Sequence, residues 1–192
     1  ADKCRLVLFA DASFAGDLLD SKSTSGAFLV LLGPNTFVPI TWLCKKQGAV
    51  SHSSSEAEVI ALDAAVRMEG IPALTLWEEV IDVFCKSSAG QPVANTTTKV
   101  QGETQEQQTY SILSNVDYVP PNINNTHRAV LMILEDNDAV IKMTIKGRSP
   151  NMRHVPRTHR VDLDWLFERL REDPSIRIQY VNTKQQIADI LT

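Results

Sequence analysis

The chain has 192 residues, 43% of them hydrophobic and 22% charged, which is enough apolar material for one sizeable core. Its 19 basic and 23 acidic residues leave a net charge of -4, which argues against a protein that coats nucleic acid by charge alone. Cys4, Cys44 and Cys85 are widely spaced, without a CxxC pair, and exclude a disulfide scaffold; they read as thiols of a reducing, intracellular compartment.

RLVLFADAS (5–13) is apolar at nearly every position until Asp11 and predicts a central strand buried on both faces. STSGAFLVLLG (23–33) and TFVPITWLC (36–44) are separated by Pro34-Asn35 and predict hairpin-connected antiparallel strands. Pro39 marks the third strand as an edge or a bulge. Ser53 to Glu69 predicts a helix, and Gly70 and Pro72 predict a break before PALTLWEEVIDVF restarts. Residues 86–127 are rich in Ser, Thr, Asn, Gln, Gly and Pro and read as a polar insertion in a single 1–192 domain, with SILSNVDYV a candidate for packing.

AVLMILED (129–136) predicts another buried strand, ending in acids. NDAVIKMTIKG (137–147) predicts a helix with Asn137 near its N-cap and Gly147 past its end. VDLDWLFERLRED (161–173) predicts an amphipathic helix stopped by Pro174. IRIQYV, ending at Val181, predicts a strand, and Thr183 to Gln186 predicts a capping box opening a last helix, IADIL. Three strands, helix, strand, two helices, strand, helix make an α/β layer fold with a mixed sheet. The apolar runs AFLVLL and AVLMIL are too short to span a bilayer, so no membrane is expected. A start at ADKC and a stop at ADILT read as the ends of a domain excised from a longer polypeptide.

Acids stand at telling places in this order. In SHSSSEAEVIAL (51–62), Glu56 and Glu58 point about 200° apart on a helix. Glu56 shares a stripe with Asp63 and Arg67, which predicts a watery face where its loss matters little. Glu58 shares its side with Ala61, Leu62 and Ala65, the packed face, where a carboxylate is costly without compensation. Asp11 and Asp136 end predicted strands, and Asp189 sits among the apolar residues of the closing helix. Four converging carboxylates would repel one another unless they share a cation, and hard oxygen ligands select Mg²⁺ or Mn²⁺.

ADASFAGD, STSGAF, ITWLCKKQGAVSHSSSEAEVIAL, EDNDAVIKM, RTHRVDLDWLFERL and YVNTKQQIADILT, in this order, resemble the ribonuclease H domain of copia-type LTR retrotransposon polyproteins. The resemblance implies the RNase H-like fold, a five-stranded mixed sheet flanked by helices. It implies hydrolysis of the RNA strand of RNA–DNA hybrids with two Mg²⁺ ions, Mn²⁺ substituting, and products with 5′-phosphate and 3′-hydroxyl ends. It implies Asp11, Glu58, Asp136 and Asp189 as catalytic and metal-binding residues, and the reverse transcriptase domain of the same polyprotein as partner of a monomeric domain. One departure is Thr158-His159-Arg160 ahead of Val161-Asp162, where the family tends to have Thr-Lys-His before Ile-Asp.

Substrate contacts are read beside the acids. Ser13, Ser53, Ser54 and Asn137 are short polar residues placed for sugar or phosphate, or else for capping. Residues 141–160 carry Lys142, Lys146, Arg148, Arg153, Arg157 and Arg160 with His154 and His159 and no acid, a basic run suited to a phosphate backbone. Lys46 and Gln47 form a second candidate contact, while Trp42, Trp77 and Trp165 read as core. Two alternatives stay open: a non-catalytic nucleic-acid-binding or structural module of the same fold, and another nuclease of the wider superfamily.

Overall fold

The first strand, β1 (Arg5–Ser13), is apolar without interruption from Leu6 to Ala10 and sits at the centre of the sheet. The computed structural model describes residues 4–84, 129–147 and 152–192; the polar stretch 86–127, with SILSNVDYV, lies outside them, as do Cys85 and Arg148. β2 (Thr24–Gly33) pairs antiparallel with β1, and β3 (Thr36–Lys46) pairs antiparallel with β2. β4 (Leu131–Glu135) lies parallel to β1 on the other side, and β5 (Ile176–Tyr180) parallel to β4. The order is β3-β2-β1-β4-β5, the expected five-stranded mixed sheet flanked by helices.

The period of two along β1 divides its side chains between two cores. Leu6, Leu8 and Ala10 join the larger one, with Leu29, Leu131 and Ile133. Val7 and Phe9 join a smaller one on the opposite face, with Val30, Met132, Leu134, Val181 and Ala188. Each large side chain fully buried there contributes roughly 1.5–3 kcal/mol. Pro39 sits where the β2–β3 register shifts, on an edge strand that does not need its missing amide. Trp42, expected in the core, is 64% exposed on that same edge. Trp77 and Trp165 are partly buried against the larger core.

α1 (Ser54–Ala65) begins where the Ser53 hydroxyl accepts the Glu56 amide at 3.2 Å. The expected break at Gly70 does not occur. A π-helical turn, Val66–Gly70, runs straight into α2 (Ile71–Phe84). The Ile71 amide reaches back five residues to the Val66 carbonyl, and this wider turn takes Pro72 without ending the helix.

α3 (Asp138–Lys146) is capped by Asn137 and closed by Gly147, which takes a φ of 69° that a side chain would strain. The short α4 (Val155–Thr158) precedes α5 (Leu163–Glu172), whose buried Leu163, Leu166, Phe167 and Leu170 repeat at helical spacing. After β5, the expected last helix is two 3₁₀ turns, Thr183–Gln185 and Ile187–Leu191. Their cap is Asn182, which accepts the Lys184 amide, in place of a Thr183 capping box. No helix among the described residues is long and apolar enough to cross a membrane.

α1 is buried nearly all round, because it packs on β1 and β2 and against α3, while His154 and His159 lie against Glu56 in its first turn. Glu56 is therefore 2% exposed and Asp63 6% exposed, which corrects the watery stripe expected for them. Arg67 holds Asp63 at 2.7 Å and lays its guanidinium over the Trp165 ring, 3.8 Å from the centroid. Burial raises the Asp63 carboxyl above its usual range, against the pull of Arg67.

Candidate metal centre

Three elements deliver one acid each. Asp11 lies two residues before the end of the central strand, paired opposite Gly26. Glu58 projects from the second turn of α1, and Asp136 follows the last residue of β4. Because β1 and β4 are parallel neighbours, Asp11 and Asp136 leave the sheet at the same edge, where ligand sites of α/β sheets gather. One carboxylate oxygen from each of Asp11, Glu58 and Asp136 lies within 4.8 Å of the others.

Burial and mutual repulsion dominate the electrostatics. Asp11 is 7% exposed and its carboxyl is raised above the usual range, mainly by burial and further by Asp136 and Asp189. The Thr192 hydroxyl donates to Asp11 Oδ2 at 2.6 Å and opposes that rise. Glu58 is pushed up to about 8, first by burial and then by the charges of Asp11 and Asp136. Its Oε2 is buried without a hydrogen-bond partner. An orphaned carboxylate oxygen, facing two more carboxylates, fits a hard divalent cation: the set is all oxygen, and a cation reverses the repulsion.

Asp189, the fourth expected acid, is exposed on the second 3₁₀ turn and stands outside this cluster, although near enough for its charge to raise Asp11. Its turn is fastened from two sides. Gln186, read in the sequence only as the end of a capping box, is buried and donates from Nε2 to the Ala10 carbonyl at 2.8 Å. Gly26 permits the close approach, since a Cβ there would meet Thr192 Cγ2 at 2.6 Å and the Ala188 carbonyl at 3.0 Å.

Glu135 was missed. It is fully buried beside Glu58, and burial followed by the Glu58 charge raises its carboxyl well above the usual range. Its Oε1 accepts the Asn137 amide at 3.1 Å. The doublet Glu135-Asp136 was the available signal, but only the strand's burial on both faces separates the two roles.

The expected substrate residues divide. Ser54 and Arg157 are exposed, and Ser13 is half-buried at the end of β1. Ser53 and Asn137 are engaged as helix caps, Asn137 Oδ1 accepting the Ala139 and Val140 amides. Lys46 is drawn onto the β1–β2 loop by Asp17 at 2.5 Å and Asp20 at 3.0 Å. Its hydrogen bonds hold both aspartates below the usual carboxylate range. Lys142 is paired with Asp138.

Gln47 and His159 point inward. The His159 ring is buried against Glu56. Gln47 donates to Ser25 Oγ at 3.0 Å and to the Ala57 carbonyl at 2.9 Å, and accepts from Ser51 Oγ at 2.9 Å. It ties β2 to the start of α1. Gln47→Ala is expected to lower stability by about 2–3 kcal/mol by leaving buried partners unpaired. A fall in Tm checks this; a wild-type Tm with weakened hybrid binding would return Gln47 to the substrate surface.

No family model matches the chain. A stretch of 67 residues is 39% identical to a protein of Plasmopara viticola described as secreted RxLR effector protein 161. That stretch is 35% of this chain and 44% of the relative, so the match spans less than half of that protein's length. Among solved structures the chain is similar to LC11-RNase H1, isolated from compost by a metagenomic approach. Identity is 12%, coverage is 97% of this chain and 91% of that one, and the TM-score is 0.43.

Proposed function

We propose that this chain is a metal-dependent ribonuclease H domain of a retroelement polyprotein, cutting the RNA strand of RNA–DNA hybrids. The observation that carries the reading is the meeting of Asp11, Glu58 and Asp136 within 4.8 Å, from three elements, with Glu58 Oε2 buried and unpartnered. A module that only binds nucleic acid gains nothing from clustering negative charge where phosphates must approach. The strand order β3-β2-β1-β4-β5, with the acids at the end of the two central parallel strands, supports the RNase H-like assignment.

Asp11, on the central strand, would hold Mg²⁺ or Mn²⁺ together with Glu58, Asp136 and Asp189. When bound, such ions supply Lewis-acid activation and charge neutralisation for phosphodiester hydrolysis. The chain's own residues do the remaining work. Glu58 also accepts from a ribose 2′-hydroxyl, which separates RNA from DNA. Ser54 lies at the N-terminal end of α1, where peptide dipoles favour a phosphate. Lys146, Arg153, Arg157 and Arg160 are exposed and offer counter-charge along the backbone. The reverse transcriptase domain of the same polyprotein would supply further hold on the hybrid.

The test is cleavage of a hybrid labelled on its RNA strand, with Mg²⁺ or Mn²⁺ and with single-stranded and duplex RNA as controls. Metal-dependent RNA products carrying 5′-phosphate and 3′-hydroxyl ends are expected from the hybrid alone. An intact hybrid, under conditions where a control RNase H cuts it, would refute the activity; metal-independent binding without cutting would favour a non-catalytic module.

A further inference from the structure

Glu56 lies two residues from Glu58, 98% buried, and the centre described above does not use it. Its surroundings are three of the chain's four histidines. Glu56 Oε2 accepts the His52 amide at 3.0 Å and faces His154 Nε2 at 3.1 Å. Oε1 lies 3.1 Å from the buried His159 Nε2, in contact but off the line of a good hydrogen bond. The His52 and His154 rings meet edge to face, with centroids 5.0 Å apart. A carboxylate can only accept, so His154 Nε2 takes the donor role.

His154 and His159 bracket α4, and the same stretch carries Arg153, Arg157 and Arg160. These three arginines are exposed and have no carboxylate partner among the described residues. α4 is four residues long, lacks a side-chain N-cap and cannot hold itself in water. Arg160 then takes a φ of 58°, which a non-glycine residue keeps only when its neighbours impose it. Met152, Val155 and Val161 are buried and set how deep the segment sits. Apolar contacts have no direction, so they do not set its rotation. The two imidazoles on one buried carboxylate do.

We infer that Glu56 is a positioning residue: it latches the arginine-bearing segment 153–160, through His154 and His159, to the first turn of the helix that carries Glu58. Hybrid binding and the metal centre thereby share one rigid helix end. The inference rests on the proposed hybrid substrate for its consequence, but the latch itself is independent of it.

Three readouts on the full chain test it. In the free protein, Glu56→Ala is expected to speed amide hydrogen exchange across 153–160 while the central strands keep their protection. The dissociation constant for a short labelled hybrid, at fixed salt and in EDTA, is expected to rise about tenfold as the arginines lose their fixed placement. In cleavage, KM is expected to rise by a similar factor with kcat within about twofold. Glu56→Gln, which keeps one acceptor oxygen, is expected to recover much of the loss.

Unchanged exchange in 153–160 would overturn the latch, and so would a fall in kcat with KM unmoved. If Glu56→Ala does not fold, His154→Ala carries the test, because that side chain is 39% exposed and its removal leaves no buried hole. Wild-type exchange and hybrid affinity in that variant would equally overturn it. If the wild-type chain neither binds nor cuts a hybrid, the functional reading fails while exchange in 153–160 still decides the latch.

Discussion

Asp11→Asn is expected to lower hybrid cleavage by about 10³-fold or more while the protein stays folded. Asp11 is the only one of the clustered acids on the central strand, flanked by β2 and β4. Asparagine keeps its shape and an oxygen to accept the Thr192 hydroxyl. What it removes is a buried negative charge facing Asp136 and Asp189. In EDTA the variant should therefore melt at or above the wild-type Tm, because repulsion falls while packing is kept. Retained cleavage would dismiss the site assignment, and a collapsed Tm would mean that Asp11 is structural.

Glu58→Gln is expected to separate stability from activity through pH. The Glu58 carboxyl has an ordinary value of 4.5 and is pushed up to about 8 in the folded, metal-free protein. Between those values the folded state binds more protons than the unfolded state. Stability is therefore full below about 4.5 and declines as pH rises through 8. The loss is on the order of 5 kcal/mol, or roughly 10–20 °C in Tm.

Glutamine removes this group's share of the slope. In EDTA the variant should match wild type near pH 5 and exceed it at pH 8. Asp11 and Glu135 are raised in the same direction, so a smaller decline remains. A bound divalent cation replaces the proton, so wild-type metal affinity should climb with pH up to about 8, and that climb should weaken in the variant. Melting curves from pH 5 to 9, with and without Mn²⁺, decide it. Parallel curves for the two proteins would show that Glu58 is not held protonated. Cleavage should be lost at every pH, since the glutamine side chain is no anionic ligand.

Much of the architecture was legible because it is local or periodic. The uninterrupted apolar run of β1 demanded burial on both faces, and Pro39 demanded an edge. Asn137 and Gly147 bounded their helix by cap chemistry that needs no distant partner. Where the sequence was misleading, a local rule met a tertiary answer. Gly70 and Pro72 break an α-helix, but a π-helical turn absorbs them by letting the Ile71 amide reach the Val66 carbonyl. Trp42 has the composition of a core residue and lies on an edge strand, 64% exposed.

The paired glutamates show the division most sharply. Helical geometry by itself determined that Glu56 and Glu58 point to opposite sides of α1, and it put Glu58 on the packed side with the acids of two strand ends. It could not determine what lies against the other side, because phase gives an angle and not a neighbour. Only the tertiary structure decided that His154, 98 residues away in sequence, and His159 close over Glu56. A buried carboxylate is tolerated where something compensates its charge. For Glu58 the fitting partner is a cation, and for Glu56 it is a pair of imidazoles brought by a segment that no local pattern connects to it.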